Sequence, residues 1–128
     1  MRVVVCAAVL TVASAAACAQ ASAPGAAADF PPEARTLTAD ALRERLAGKV
    51  FHVALANGAS WRLQYQSGGY FYLNVSTGYA DSGKWRVEDS KLCSEPQKTR
   101  AACNDVRLVS DLIYLRRDSG EIVRLEPR

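Results

Sequence analysis

From residue 50 onward, apolar and polar side chains alternate with a period of two, the mark of half-buried antiparallel strands. Phe51, Val53 and Leu55 share one side of residues 50–56. Trp61, Leu63 and Tyr65 alternate with Arg62, Gln64 and Gln66. Phe71, Leu73 and Val75 alternate with Tyr70, Tyr72 and Asn74, and Trp85 and Val87 face inward from residues 84–88. Between these runs stand turn residues: Asn57-Gly58, Ser67-Gly68-Gly69, Ser76-Thr77-Gly78 and Asp81-Ser82-Gly83. Asn-Gly between two alternating runs is the strongest short hairpin signal in the chain.

Farther on, residues 105–109 and 112–117 read as a hairpin through Ser110-Asp111. Asp118-Ser119-Gly120 turns the chain into a last strand over 121–126. The count is six or seven strands. Links this short join antiparallel neighbours, because parallel strands need crossovers of a dozen or more residues. The expected fold is mainly β: an antiparallel meander forming a curved sheet or a small barrel. Closure would remove exposed edges.

Ahead of the strands the period changes. Residues 37–48 read as one short N-terminal helix, with Thr38 as N-cap, Asp40 in the first turn and Gly48 as the stop. Leu42 and Leu46 are four apart and share a face. So short a helix is not stable alone. It is expected to cover one opening of the sheet.

The first 35 residues carry no such pattern. Residues 1–19 read as a secretory signal: Arg2, an apolar run over 3–12 broken only by Thr11, then Ala17-Cys18-Ala19 as a small-x-small cleavage site. Residues 20–35 are rich in Ala, Pro and Gly and read as a flexible linker. The single β-rich domain is expected over 36–128. Ala15-Ala16-Ala17-Cys18 also admits a weak lipobox, in which Cys18 would carry a lipid. Ala15 stands where such boxes usually have Leu, so a soluble periplasmic or secreted product is preferred. A membrane partner is expected only if Cys18 is lipidated.

Removal of residues 1–19 leaves 109 residues with 15 basic and 13 acidic groups, a net charge of +2. That mild excess, without a Lys/Arg run, gives no footprint for nucleic acid. Cys93 and Cys103 remain as an even pair. In an oxidising compartment they are read as a structural disulfide around SEPQKTRAA. A redox pair usually has a two-residue spacing, and a metal site needs further ligands.

Gly83-Lys84-Trp85-Arg86-Val87, Leu92-Cys93, Cys103, Tyr114 and Gly120 resemble small exported proteobacterial domains of unknown function, which have a helix, a Trp-bearing meander and one Cys pair. The resemblance spans residues 37–125. It implies a location and a fold and carries over no catalytic residue. A fainter similarity is to bacterial C-type lysozyme inhibitors, through Ser67-Gly68, Tyr70 and Lys84.

Chemistry-bearing motifs are few. His52, the single histidine, lies opposite the apolar side of its run and reads as a solvated residue. There is no G-x-S-x-G, H-E-x-x-H or phosphate-binding glycine loop. Glu88 and Asp89 are sequence neighbours, which on a strand point to opposite faces. No cofactor, metal or catalytic residue is therefore expected. The outward set Arg62, Tyr70, Tyr72, Lys84 and Arg86, with Gln64 among them, is the candidate ligand-binding face; Arg107 and Arg124 are possible additions. Arg offers bidentate hydrogen bonds and Tyr a flat surface with a polar tip. The preferred expectation is a non-enzymatic envelope module that binds a protein, glycan or lipid head group through this face or a barrel mouth. The alternatives are an inhibitor of an envelope-targeting hydrolase such as lysozyme, through a protruding 67–70 turn, and an enzyme with its site in the barrel.

Overall fold

The structure, a computed structural model, describes residues 29–128. The proposed signal, Cys18 and most of the proposed linker lie outside the described residues. The helix α1 (Ala39–Leu46) is followed by eight strands: β1 (Lys49–Ala54), β2 (Ser60–Tyr65), β3 (Tyr70–Val75), β4 (Ala80–Glu88), β5 (Lys91–Pro96), β6 (Ala102–Val109), β7 (Leu112–Arg116) and β8 (Ile122–Pro127). Each pairs antiparallel with the next, and β8 returns to β1, so the meander is a closed barrel.

Four of the hairpins share one device. Residues 55–58, 66–69, 75–78 and 117–120 each form a turn in which the fourth residue, a glycine, donates its N–H to the carbonyl of the first. The first residue in turn donates its N–H to the carbonyl just beyond the turn. The glycines at 58, 69, 78 and 120 all have φ between 88° and 97°. This is a three-residue hairpin loop ending in a left-handed glycine bulge, a geometry that matches the twist of the flanking strands.

The expected count of six or seven strands is corrected to eight. Residues 94–102, expected as a loop closed by the disulfide, contain the second half of β5 and the start of β6. Cys93 and Cys103 stand directly opposite each other on the two strands, with Cα atoms 3.9 Å apart, and are joined by a disulfide. The Pro and charged residues of this stretch hid the strand, because only Leu92, Ser94 and Pro96 take its inner positions. Asp81-Ser82-Gly83, expected as a turn, lies inside β4. The reason is local. The Asp81 side chain caps neighbouring backbone rather than turning its own. Gly83 is needed because β5 passes so close that any Cβ there would collide with the Glu95 carbonyl.

The helix behaves as its sequence indicates. Thr38 accepts a hydrogen bond from the Ala41 N–H at 3.2 Å, and Gly48 leaves the helix at φ 75°. Leu42 and Leu46 are fully buried and join Phe51, Val87, Val106, Leu108, Ile113 and Leu125 in the core. The helix thus closes the barrel end where β1 begins and β2 ends. Tyr65 stacks edge-on against Phe51 and Trp85 beneath it, with ring centroids 6.1 and 5.4 Å apart.

Residues ahead of the helix are held on the barrel as well, so part of the stretch expected as linker is docked. Arg35 pairs with Leu108 through both backbone hydrogen bonds, covering the edge of β6 where it outruns β5. Phe30 lies under the guanidinium groups of Arg107 and Arg116. The seam between β1 and β8 is short. Its register covers Phe51 opposite Pro127 and His52 opposite Glu126, with the Arg128 N–H donating to the Val50 carbonyl.

Two outcomes are expected from this packing. Gly83→Ala should destabilise the domain far more than an ordinary strand glycine substitution, because backbone must move. Thermal unfolding of the variant checks this. Replacing both Cys93 and Cys103 with Ser should lower unfolding free energy by about 2–3 kcal/mol, the loop-closure value for a ring of this size. Urea titration of the two proteins measures the difference.

Candidate functional site

The interior changes character along the barrel axis. At the helix end every inward row is apolar. Toward the other end, β4 runs inward through Val87, Trp85, Gly83 and Asp81. β5 runs through Leu92, Ser94 and Pro96, and β6 through Leu108, Val106, Asn104 and Ala102. The rows of β2 and β3 stay apolar to the rim, with Trp61, Leu63, Leu73 and Val75. The end ringed by the 55–59, 76–79, 97–101 and 117–121 loops is not filled by the described residues. It holds a cavity of about 400 Å³, within the usual range of small-molecule sites. One wall is hydrophobic, from β2, β3 and β8. The other, from β4 to β7 and their loops, carries Asp81, Ser94, Asn104, Arg100 and Arg117.

Most ionic groups in this lining are already engaged. Asp81 is only 7% exposed. Its carboxylate accepts hydrogen bonds from the Tyr79 hydroxyl and the N–H groups of Ser82, Gln97 and Lys98, at 2.8–3.3 Å. Burial opposes its charge, but these four donors together outweigh it and hold the carboxyl below its ordinary value. Asp81 therefore ties the 97–101 loop to β4. Asp118 accepts from the Asn104 amide at 2.8 Å. Arg117 pairs with Glu121 and lies 4.8 Å above the Trp61 ring, a cation–π contact at the rim. Glu121 also accepts the Ala56 N–H at 2.8 Å, bridging the mouth end of the β1–β8 seam, and its carboxyl is lowered by that N–H and by Arg117. Arg100 is exposed and has no partner among the described residues.

At the floor is Tyr65, 4% exposed, whose hydroxyl makes no hydrogen bond to any described residue. Burial pushes its phenol well above the ordinary range, so it stays protonated.

The outward face expected from the sequence is partly assembled. Tyr70 stands opposite Lys84, which stands opposite Glu95; Tyr72 lies between Gln64 and Ser82. Tyr70 and Tyr72 are 50% and 42% exposed, among the most exposed large apolar side chains described. Arg86 is on the same wall, ion-paired with Glu88, and Arg62 is a diagonal neighbour of Tyr72. Arg107 and Arg124 do not join them. They flank Tyr114 on β6 and β8, across the barrel. Arg124 pairs with Glu126. With Glu88 and Glu95 interleaved, this wall is a mixed-charge surface and not a cationic one. The 66–69 turn is exposed at its tip and braced at its base by Trp85, whose indole N–H donates to the Gln66 carbonyl at 2.9 Å.

His52 lies on the outside, its Nδ1 3.3 Å from the Arg128 guanidinium. Glu88 ends β4, and Asp89 sits in the following turn at φ 47°. Glu88 also approaches the Cys93 and Cys103 sulfurs. Sulfurs bonded to each other are not the thiolates a metal requires. The residues lining this mouth were missed in the sequence because they come from seven strands and three loops. Its one local signal is the replacement of apolar by polar residues at inward positions near the rim, as at Asp81, Ser94 and Asn104.

No protein-family model, curated protein or solved structure matches the chain.

Asp81 generates a pH prediction. A carboxyl lowered by folding stabilises the native state above its unfolded value of about 3.9, and the contribution fades as pH falls through the lower folded value. Asp81→Asn should therefore be less stable than wild type near pH 6, by on the order of 1–3 kcal/mol from the weakened hydrogen bonds. The gap should narrow on acidification to about pH 3. Denaturant titrations of both proteins across that range check it.

Proposed function

We propose that this protein is a non-enzymatic binding module of the bacterial cell envelope that takes a small amphipathic ligand into the open end of its barrel. The observation that carries the reading is the cavity with one hydrophobic and one polar wall. Sites for small molecules are concave and mostly apolar, with a few placed polar groups. Here the apolar wall is a continuous surface of Trp61, Leu63, Leu73 and Val75, and the polar groups stand opposite it.

The same lining argues against catalysis. Acid–base work needs groups with separated proton affinities facing the substrate. In this cavity Asp81 is saturated with donors, Asp118 is engaged by Asn104, and His52 is outside. The envelope location rests on the apolar stretch of residues 1–19 and on the Cys pair.

The test is native mass spectrometry after incubation with an organic extract of bacterial envelopes. Wild type is expected to retain a small-molecule adduct. Leu73→Trp, which fills the cavity, should lose it, and Tyr70→Ala/Arg86→Ala on the outer wall should keep it. An adduct lost only in the outer-wall variant would move the site to that face.

A further inference from the structure

Charge and hydrogen-bonding capacity in the cavity specify its occupant further, and this inference rests on the binding reading above. Four ionic side chains line the cavity: Asp81, Arg100, Arg117 and Asp118. Asp81 accepts four donors, Asp118 accepts from Asn104, and Arg117 is paired with Glu121 and stacked on Trp61. That leaves Arg100, at the rim, as the lining group whose charge no described residue answers. A guanidinium is suited to grip a carboxylate or phosphate by two parallel hydrogen bonds. At the opposite end, the Tyr65 ring is buried among Phe51, Phe71 and Trp85, and its hydroxyl makes no hydrogen bond to any described residue. That hydroxyl is not sealed off in the core, so it is open to pair with a polar atom that a ligand brings to the floor. Between the two ends the wall is hydrocarbon and indole.

We propose that the ligand is an elongated organic anion with an apolar body, its negative group held by Arg100 at the rim and a hydroxyl or carbonyl at its far end meeting the Tyr65 hydroxyl. The available space, about 400 Å³, equals roughly thirteen waters at about 30 Å³ each, so the body holds on the order of a dozen heavy atoms. The apolar stretch lies along Trp61, Leu63, Phe71 and Leu73. A cation is disfavoured, since every carboxylate in the lining is already engaged.

The probes are ω-hydroxydecanoate, its neutral methyl ester, and decanoate, which lacks the far hydroxyl. Binding is followed by tryptophan fluorescence, from Trp61 in the wall and Trp85 against Tyr65, and by calorimetry. Wild type is expected to bind the hydroxy acid about tenfold more tightly than either of the others. Arg100→Gln should erase the preference for acid over ester. Tyr65→Phe should erase the preference for the hydroxy acid over decanoate. Equal affinity for acid and ester in wild type overturns the assignment to an anion, and equal affinity for hydroxy acid and decanoate overturns the polar far end. In both cases the cavity remains a binding site. If none of the three binds, and Leu73→Trp changes nothing, the binding reading falls as well. Circular dichroism of Tyr65→Phe confirms that its core is intact.

Discussion

Two leucines decide what this barrel can do. Eight strands enclose an interior just wide enough to be filled by side chains or to hold one small ligand. Leu42 and Leu46, fully buried, settle that choice separately at each end. Where they insert, the tube is packed with Phe51, Val87, Val106 and Leu108 and is a core in the ordinary sense. Among the described residues no second helix reaches the other end, and there the inward rows of β4, β5 and β6 shrink or turn polar. Burying each leucine contributes on the order of 1.5–3 kcal/mol, which a helix this short needs in order to exist at all. The helix and the cavity are thus linked. The helix is stable because it has a barrel end to fill, and the other end is left open because the described residues supply a single plug.

The class of fold was readable because antiparallel strands write their two faces into the sequence as alternation. Phe51, Val53, Leu63, Phe71, Trp85 and Val87 all point where their spacing says. The helix cap at Thr38 and the stop at Gly48 were equally plain. What failed were segments in which one local signal had a non-local cause. Asp81-Ser82-Gly83 has the composition of a turn, yet Asp81 is there to hold backbone from residues 97 and 98, and Gly83 is there because β5 passes over it. Neither partner is close in sequence. The same applies to β5, whose inward residues face a half-empty mouth and so need not be hydrophobic.

The candidate site was legible in fragments. The outward tyrosines and cations of β3 and β4 were placed on the outer surface by alternation and beside each other by the short link between the two strands, and the structure puts them there. Alternation cannot say which wall of a closed ring a residue stands on, so Arg107 and Arg124 were grouped with residues on the far side. The make-up of the mouth was out of reach for a deeper reason. Asp81, Ser94, Asn104 and Arg117 are spread over 37 positions and share a surface only after the ring has closed. An inward polar residue in an alternating strand, taken singly, looks like an error in register; four of them near one rim describe a lined opening.

The ring's closing seam has a consequence for how the chain acquires its shape. Seven of the eight strand contacts join sequence neighbours and need only a tight hairpin, with little loop entropy to overcome. The eighth brings Phe51 to Pro127 and His52 to Glu126, across about seventy-five residues, with a small register to reward it. Hairpin zippering can therefore run ahead while the cylinder stays unsealed. The meeting of first and last strands is the costliest of the eight closures in chain entropy, and until it forms both of their edges stand open to pairing with another molecule.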